Sequence, residues 1–128
     1  MSPQAAARTL LGLGPRLVVV TRGANGAFAI TADCHVTVPA PQIELVDTIG
    51  AGDAFQACLL DSLEGPDGVR IPTDPEELTR ILRRCATAGA LACTRAGAQP
   101  PTRDEIDPAV SEPAHRAVHP GHSAPCLP

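Results

Sequence analysis

The sequence has no tryptophan, no tyrosine and no lysine, and its only aromatic side chains are Phe28 and Phe55. A core must therefore be built from Ala, Val and Leu, which bury little area each. A chain of 128 residues so composed makes at most one small domain of modest stability. All ten basic residues are arginines, scattered rather than striped, and the net charge is −4, so no nucleic-acid partner is expected. No apolar run is long enough to span a bilayer. Met1 to Arg8 lacks the charged start and apolar stretch of a secretory leader. No membrane partner and a cytoplasmic location are expected. The cysteines, Cys34, Cys58, Cys85, Cys93 and Cys126, are odd in number and form no C-x-x-C pair. Reduced thiols acting as small apolar residues are expected, not a zinc site or a disulfide framework. A G-x-x-x-x-G-K-[ST] phosphate loop is also missing.

What is present is a succession of short apolar segments in a chain of 44% hydrophobic residues and mean hydropathy +0.05. Ala5 to Leu13 has helical spacing, ended by Gly14-Pro15. Leu17 to Thr21 (LVVVT) is a β-branched run that predicts a strand buried on both faces, as in a parallel sheet. Gly23 to Gly26 predicts a turn, and Ala27 to Thr31 with His35 to Val38 a hairpin turning at Ala32-Asp33. After Pro39 to Pro41 and Ile43 to Val46, a helix is predicted from Ala54 to Leu63, then a loop over Gly65 to Asp74. Thr73 or Asp74 can cap the next helix, with Pro75 at its first position and Glu76 and Glu77 in its first turn. That helix is predicted to reach about Cys93, interrupted at Gly89. Gly97 to Pro101 is a loop and Arg103 to Ile106 a further helical turn. Periodicity stops at Pro108, so residues 1–107 form the domain and 108–128 a disordered tail, in which His115, His119 and His122 are loosely spaced. Alternating strands and helices give an α/β class, with too few of each for a complete doubly wound domain.

Chemistry concentrates in two places. Asp47-Thr48-Ile49-Gly50-Ala51-Gly52-Asp53 runs straight into a helix. A helix N-terminus offers free amides and partial positive charge, and glycines let a ligand approach. Gly50-Ala51-Gly52 is thus a candidate phosphate cradle with Asp53 at its lip, able to take a proton from an attacking hydroxyl. The same residues can equally be read as a loop whose Asp caps the helix. Thr21-Arg22-Gly23-Ala24-Asn25-Gly26 follows a strand, where α/β sheets place their ligands, though an ordinary strand-to-strand turn has the same composition.

Asp47 to Phe55 resembles the D-T-x-G-A-G-D-x-F signature of PfkB-type carbohydrate kinases, the ribokinase-like family that includes fructokinase. Thr21 to Gly26 is similar to that family's T-x-G-x-x-G loop, and Cys93 to Ala98 to its T-R-x-G-A segment. Pro100 to Arg103 looks most like bacterial fructokinases. The resemblance covers about Ala5 to Asp107. It implies the C-terminal part of a ribokinase-like, Rossmann-type sandwich: part of the sheet with flanking helices. It implies ATP-dependent phosphorylation of a sugar hydroxyl, with Asp53 as base, Gly50, Ala51 and Gly52 as the anion hole, and Thr21, Arg22, Gly23, Ala24, Asn25, Gly26, Gly52 and Ala86 beside the nucleotide. It implies Mg2+ arriving with ATP and a monovalent cation, usually K+, held by Asp47 and the carbonyls of Ile49, Ala92, Arg95 and Gly97. It also implies a homodimer in the full-length family. Three positions depart from the pattern: Cys58 stands for Gly or Ala, Ala86 for an adenine-side Asn, and Pro101 for a further potassium ligand. The family's N-terminal half, with most sugar contacts and the lid, is not in this sequence. The alternatives are a non-catalytic remnant that binds nucleotide weakly and a nucleoside kinase of the same superfamily.

Overall fold

The computed structural model describes residues 2–97 and 100–111. Helix α1 (Pro3–Leu11) starts where Ser2 Oγ accepts the Ala5 amide at 3.1 Å and Pro3 supplies the first helical φ. It begins and ends two residues earlier than periodicity predicts, because the Ser2 cap was not visible in the apolar spacing. The backbone then forms β1 (Val18–Thr21), a 3₁₀ turn over Gly23–Asn25, β2 (Ala27–Ile30) and β3 (His35–Val38). These make a three-stranded antiparallel sheet in the order β1-β2-β3.

β1 is therefore antiparallel, not the parallel strand its valines predict, and although both its faces are covered it is not fully buried. It lies at an edge and its valines are half-buried. The reason is the turn: Gly26 at φ 87° sends the chain straight back, with no crossover helix between the strands. Strand alternation sorts the side chains. Phe28 and Ile30, with Val18 and Val20 beside them, pack against Ala7 on α1. Ala27, Ala29, Val36 and Val38, with Leu17 and Val19, face the larger core on the other side.

That larger core is completed by α2 (Ala51–Leu63) and α3 (Pro75–Cys93). Asp74 caps α3 by accepting the Glu76 amide at 3.1 Å, with Pro75 next and two glutamates in the first turn, as the sequence predicts. Leu78 and Leu82 are the largest side chains sealed inside, at 1% and 0% exposure, each worth roughly 1.5–3 kcal/mol of burial. α3 runs unbroken through Gly89, which is buried rather than an interruption. The predicted loop at 65–74 contains a small hairpin, β4 (Glu64–Gly65) with β5 (Gly68–Val69), tied to α3 by the Arg70–Glu77 ion pair.

α4 (Arg103–Ser111) extends the single turn predicted after Thr102. Glu105 reaches back to the residue before the helix: the Thr102 amide donates to Glu105 Oε1 at 2.9 Å, and the Glu105 amide donates to the Thr102 carbonyl at 3.0 Å. The helix continues past Pro108, so it crosses the 107/108 boundary drawn from periodicity. The expected tail beyond Ser111, with its three histidines, lies outside the described residues. α2, α3 and α4 are clamped by charge: Asp61 accepts from Arg84 at 3.2 Å and from Arg103, and Arg84 Nε donates to Asp107 at 2.8 Å. Asp61 is held below the usual carboxylate range, first by the Arg103 hydrogen bond. Among the described residues no helix is long and apolar enough to cross a membrane, and Cys34, Cys58, Cys85 and Cys93 are free thiols.

Candidate active site

The two glycine-bearing segments face each other across one cavity of about 430 Å³. Thr21, Gly23, Ala24 and Gly26 form one wall. Ala51 and Gly52 form part of another, and Ala86, Gly89 and Ala90 of α3 contribute a third. A volume of that size suits a small organic ligand.

The first wall is set by the pleat. Thr21 shares the face of Leu17 and Val19, so its hydroxyl-bearing side chain meets the cavity, whereas Arg22 alternates to the other side. The loop closes by an Arg22 amide to Gly26 carbonyl bond of 2.7 Å. Only glycine fits at 26: a Cβ there would sit 2.0 Å from the Val38 carbonyl oxygen.

The second wall is the start of α2. Gly50 is the N-cap, at φ 85° in the left-handed region, and provides no side-chain cap. The Ala51 amide is taken by the Thr48 carbonyl at 3.2 Å, and the first full helical bond joins Ala54 N to Gly50 O at 2.9 Å. The amides of Gly52 and Asp53 have no acceptor among the described residues. They are the donors a cradle needs. The helix begins three residues before the predicted Ala54, so Asp53 lies inside the first turn, exposed, and is not the cap. Its negative charge favours the helix dipole at that position.

The third grouping surrounds Asp47. Its Oδ1 accepts the Ile49 amide and its Oδ2 the Gly97 amide, both at 3.0 Å. These bonds, Ile49's foremost, hold its carboxyl below the usual carboxylate range. The Cys93 carbonyl accepts the amides of Val46 and Asp47 at 2.8 and 3.1 Å, lacing this segment to the end of α3. Ala92 O accepts the Arg95 amide at 3.3 Å, and the Arg95 side chain turns away to Pro100 O and Glu105. Asp47, Ile49 and Gly97 are thus in direct contact, with Ala92 and Arg95 beside them. One carboxylate with backbone carbonyls is a donor set that fits a hard cation. No group of three or more His, Cys, Asp or Glu that could hold a metal occurs among the described residues.

Arg22, Asn25 and Asp53 do not line the cavity. The Arg22 guanidinium carbon stands 5.7 Å from the Phe28 ring centroid, on the α1 side of the sheet. Sequence reasoning missed Gly89, whose bare α-carbon lets α3 approach Ala51, and it treated Pro39 to Pro41 as a mere interruption although Ala40 and Pro41 line the cavity. A glycine at helical spacing within an apolar face is the signal that could have marked the close approach.

Comparison with known proteins places this geometry. Residues 3–105 match the pfkB family carbohydrate kinase domain. A fructokinase of Rhizobium leguminosarum bv. trifolii is 52% identical over 54 residues, which is 42% of this chain and 17% of that protein. The solved ribokinase of Thermotoga maritima superposes with a TM-score of 0.72 at 29% identity, covering 88% of this chain and 35% of the ribokinase. A fructokinase double mutant from Vibrio cholerae O395, solved with fructose, ADP and potassium ion, gives a TM-score of 0.71 at 28% identity, covering 88% of this chain and 36% of that one. The architecture is therefore part of a ribokinase-like sandwich, and the chain spans about a third of the solved relatives.

Proposed function

The chain belongs to the pfkB family of carbohydrate kinases, and from that premise we propose that it is the ATP-binding part of an enzyme that transfers the γ-phosphoryl group of ATP to a sugar hydroxyl. The observation that carries this reading is the single cavity bounded by both Thr21–Gly26 and the start of α2. The nucleotide lies along it with its terminal phosphates at the free amides of Gly52 and Asp53. Those amides stabilise charge developing on the transferring group, usually the largest contribution in phosphoryl transfer. Asp53, on the same first turn, accepts the proton of the attacking hydroxyl, a role typically worth about 10²–10⁴-fold in rate.

Magnesium bound with the nucleotide supplies charge neutralisation on the phosphates. Asp47, with the carbonyls of Ile49, Ala92, Arg95 and Gly97, would hold a monovalent cation that adds positive charge near the cradle. A second reading, nucleotide binding without transfer, is favoured by one observation: Asp53 lies outside the cavity.

The test is ADP formation by the full chain with ATP, Mg2+ and a panel of hexoses and pentoses. Sugar-dependent ADP formation that disappears in Asp53→Ala supports transfer. Retained nucleotide binding with no sugar-dependent turnover supports the second reading. Full activity of Asp53→Ala refutes the assigned base.

A further inference from the structure

The seam between α2 and α3 carries two thiols. Gly89 packs on Ala51 and Phe55, and one helical turn further along the pair Cys58 comes opposite Cys85. Both belong to the same core cluster, at 5% and 0% exposure. The Cys85 thiol donates to the Cys58 sulfur. On its other side Cys58 meets a cation: Arg84 Nη1 stands 3.3 Å from Cys58 Sγ, and donates to Ser62 Oγ at 3.0 Å and to Asp61 at 3.2 Å. The Arg84 and Asp61 side chains are 19% and 28% exposed, so this cluster joins the sulfur to solvent. None of these residues lines the nucleotide cavity.

We propose that Cys58 and Cys85 are a peroxide-oxidisable dithiol, Cys58 the attacking sulfur and Cys85 the resolving one, closing a disulfide that ties α2 to α3. A guanidinium against a sulfur favours the thiolate, which is the nucleophile in thiol oxidation. The Cys58 thiolate attacks one oxygen of hydrogen peroxide, the O–O bond breaks, and the departing hydroxide takes up a proton to become water. Cys58 is now a sulfenic acid, oxidised by two electrons. Cys85 attacks that sulfur, the S–S bond forms, and the sulfenic oxygen leaves as water with the Cys85 proton. Two thiols and one peroxide thus give one disulfide and two waters. Helices drawn together at a glycine bring facing α-carbons toward the separation a disulfide needs, about 4.4–6.8 Å. Cys34 is more exposed, but its sulfur lies beside the Thr31 hydroxyl and the Thr73 carbonyl, neither of which carries positive charge.

The experiment is exposure of the reduced full chain to hydrogen peroxide at pH 7, with the sulfur products mapped by peptide mass spectrometry. The expected product is a Cys58–Cys85 cross-link that forms before Cys34 or Cys93 is oxidised and that dithiothreitol reverses. Cys85→Ser is expected to stop at a sulfenic acid on Cys58, trapped by dimedone. Arg84→Met is expected to slow the cross-link about tenfold, because an ordinary thiol is only a few per cent ionised at pH 7. Oxidation that reaches Cys34 or Cys93 first, or that pairs either of them with Cys58, overturns the inference. So does treatment that leaves Cys58 and Cys85 reduced, since the core then excludes the oxidant. An unchanged rate in Arg84→Met overturns the assigned activation. None of these readouts depends on nucleotide binding, so the kinase reading stands or falls separately.

Discussion

A methyl group on Gly89 would stand 3.2 Å from the carbonyl oxygen of Ala51 and 3.8 Å from Phe55 Cβ. α3 thus meets the first turn of α2 through a bare α-carbon. Gly89→Ala gains about 1 kcal/mol of helix propensity and sets it against a contact too tight to leave unmoved, so stability changes little. The shift falls on the residue that opens the cradle, and nucleotide affinity is expected to drop by about tenfold or more, since small displacements of positioning groups are costly. Gly89→Val overpacks the same contact and lowers stability by about 1–3 kcal/mol. Denaturant midpoints and nucleotide titrations on the two variants separate these effects.

Two of the positive-φ glycines, Gly26 and Gly50, predict unequal outcomes. Gly26→Ala meets both an unfavourable φ of 87° and a Cβ placed 2.0 Å from the Val38 carbonyl, so the β1–β2 turn cannot close. Thermal melting is expected to show loss of the cooperative transition or a fall of many degrees. Gly50→Ala, at φ 85°, carries the backbone penalty of roughly 1–2 kcal/mol. Its melt shifts by a few degrees, while nucleotide binding weakens because the cradle turn relaxes.

Asp47 makes stability depend on acid pH. Its folded-state pKa is depressed by the Ile49 amide first and the Gly97 amide second. A depressed carboxylate contributes stability that is complete above the unfolded-state value, about 4, and is lost as pH falls through the lower folded value. Asp47→Asn keeps an acceptor oxygen but not the charge. The wild-type advantage over Asp47→Asn is expected to be present at neutral pH and to shrink as pH falls below the unfolded-state value, read from denaturant unfolding at each pH. An advantage that persists in strong acid would contradict the charge-based account.

Cys58 makes a second, alkaline dependence. Its thiol is pulled down to about 7 by a hydrogen bond from Cys85, helped by Arg84, whose Nη1 lies 3.3 Å from Cys58 Sγ, and by Ser62. Cys85, sharing that bond and sealed in the core, is pushed up. The sign follows the same rule: the contribution is complete above the unfolded thiol value of 9.0 and is lost as pH falls through about 7. Relative to Cys58→Ala, wild-type stability is expected to rise across that interval. Thiolate absorbance should show a near-neutral midpoint that moves up in Arg84→Met.

The segments legible in the sequence are those whose signal is local. Asp74 with Pro75 and two glutamates specifies a helix start from adjacent residues, and the structure has it there. The run from Asp47 to Phe55 is similarly self-contained. Its position at the mouth of α2 was foreseeable, but not that Asp53 lies within the first turn, because Gly50 caps with backbone alone. What was not legible depends on partners distant in the chain. Gly89 reads as a helix breaker until Ala51 is brought against it. Three consecutive valines read as a parallel strand until the Gly26 turn folds β2 back alongside. α4 passes Pro108 because Ile106 is buried and Arg103 is held by Asp61, neither visible from residues 103–111 alone.

The run Val18-Val19-Val20 has no internal landmark. Any one of the three could be deleted or duplicated with little change in greasiness, yet the frame of the strand would flip by one residue. The turn that pairs Thr21 with Ala27 lies downstream of the change and keeps Thr21 in place, so the slip falls on the other end of the strand, where Leu17 would pass from the larger core to the α1 side. Single-codon insertions and deletions in this stretch therefore probe how the sheet seats its two cores while leaving composition almost untouched.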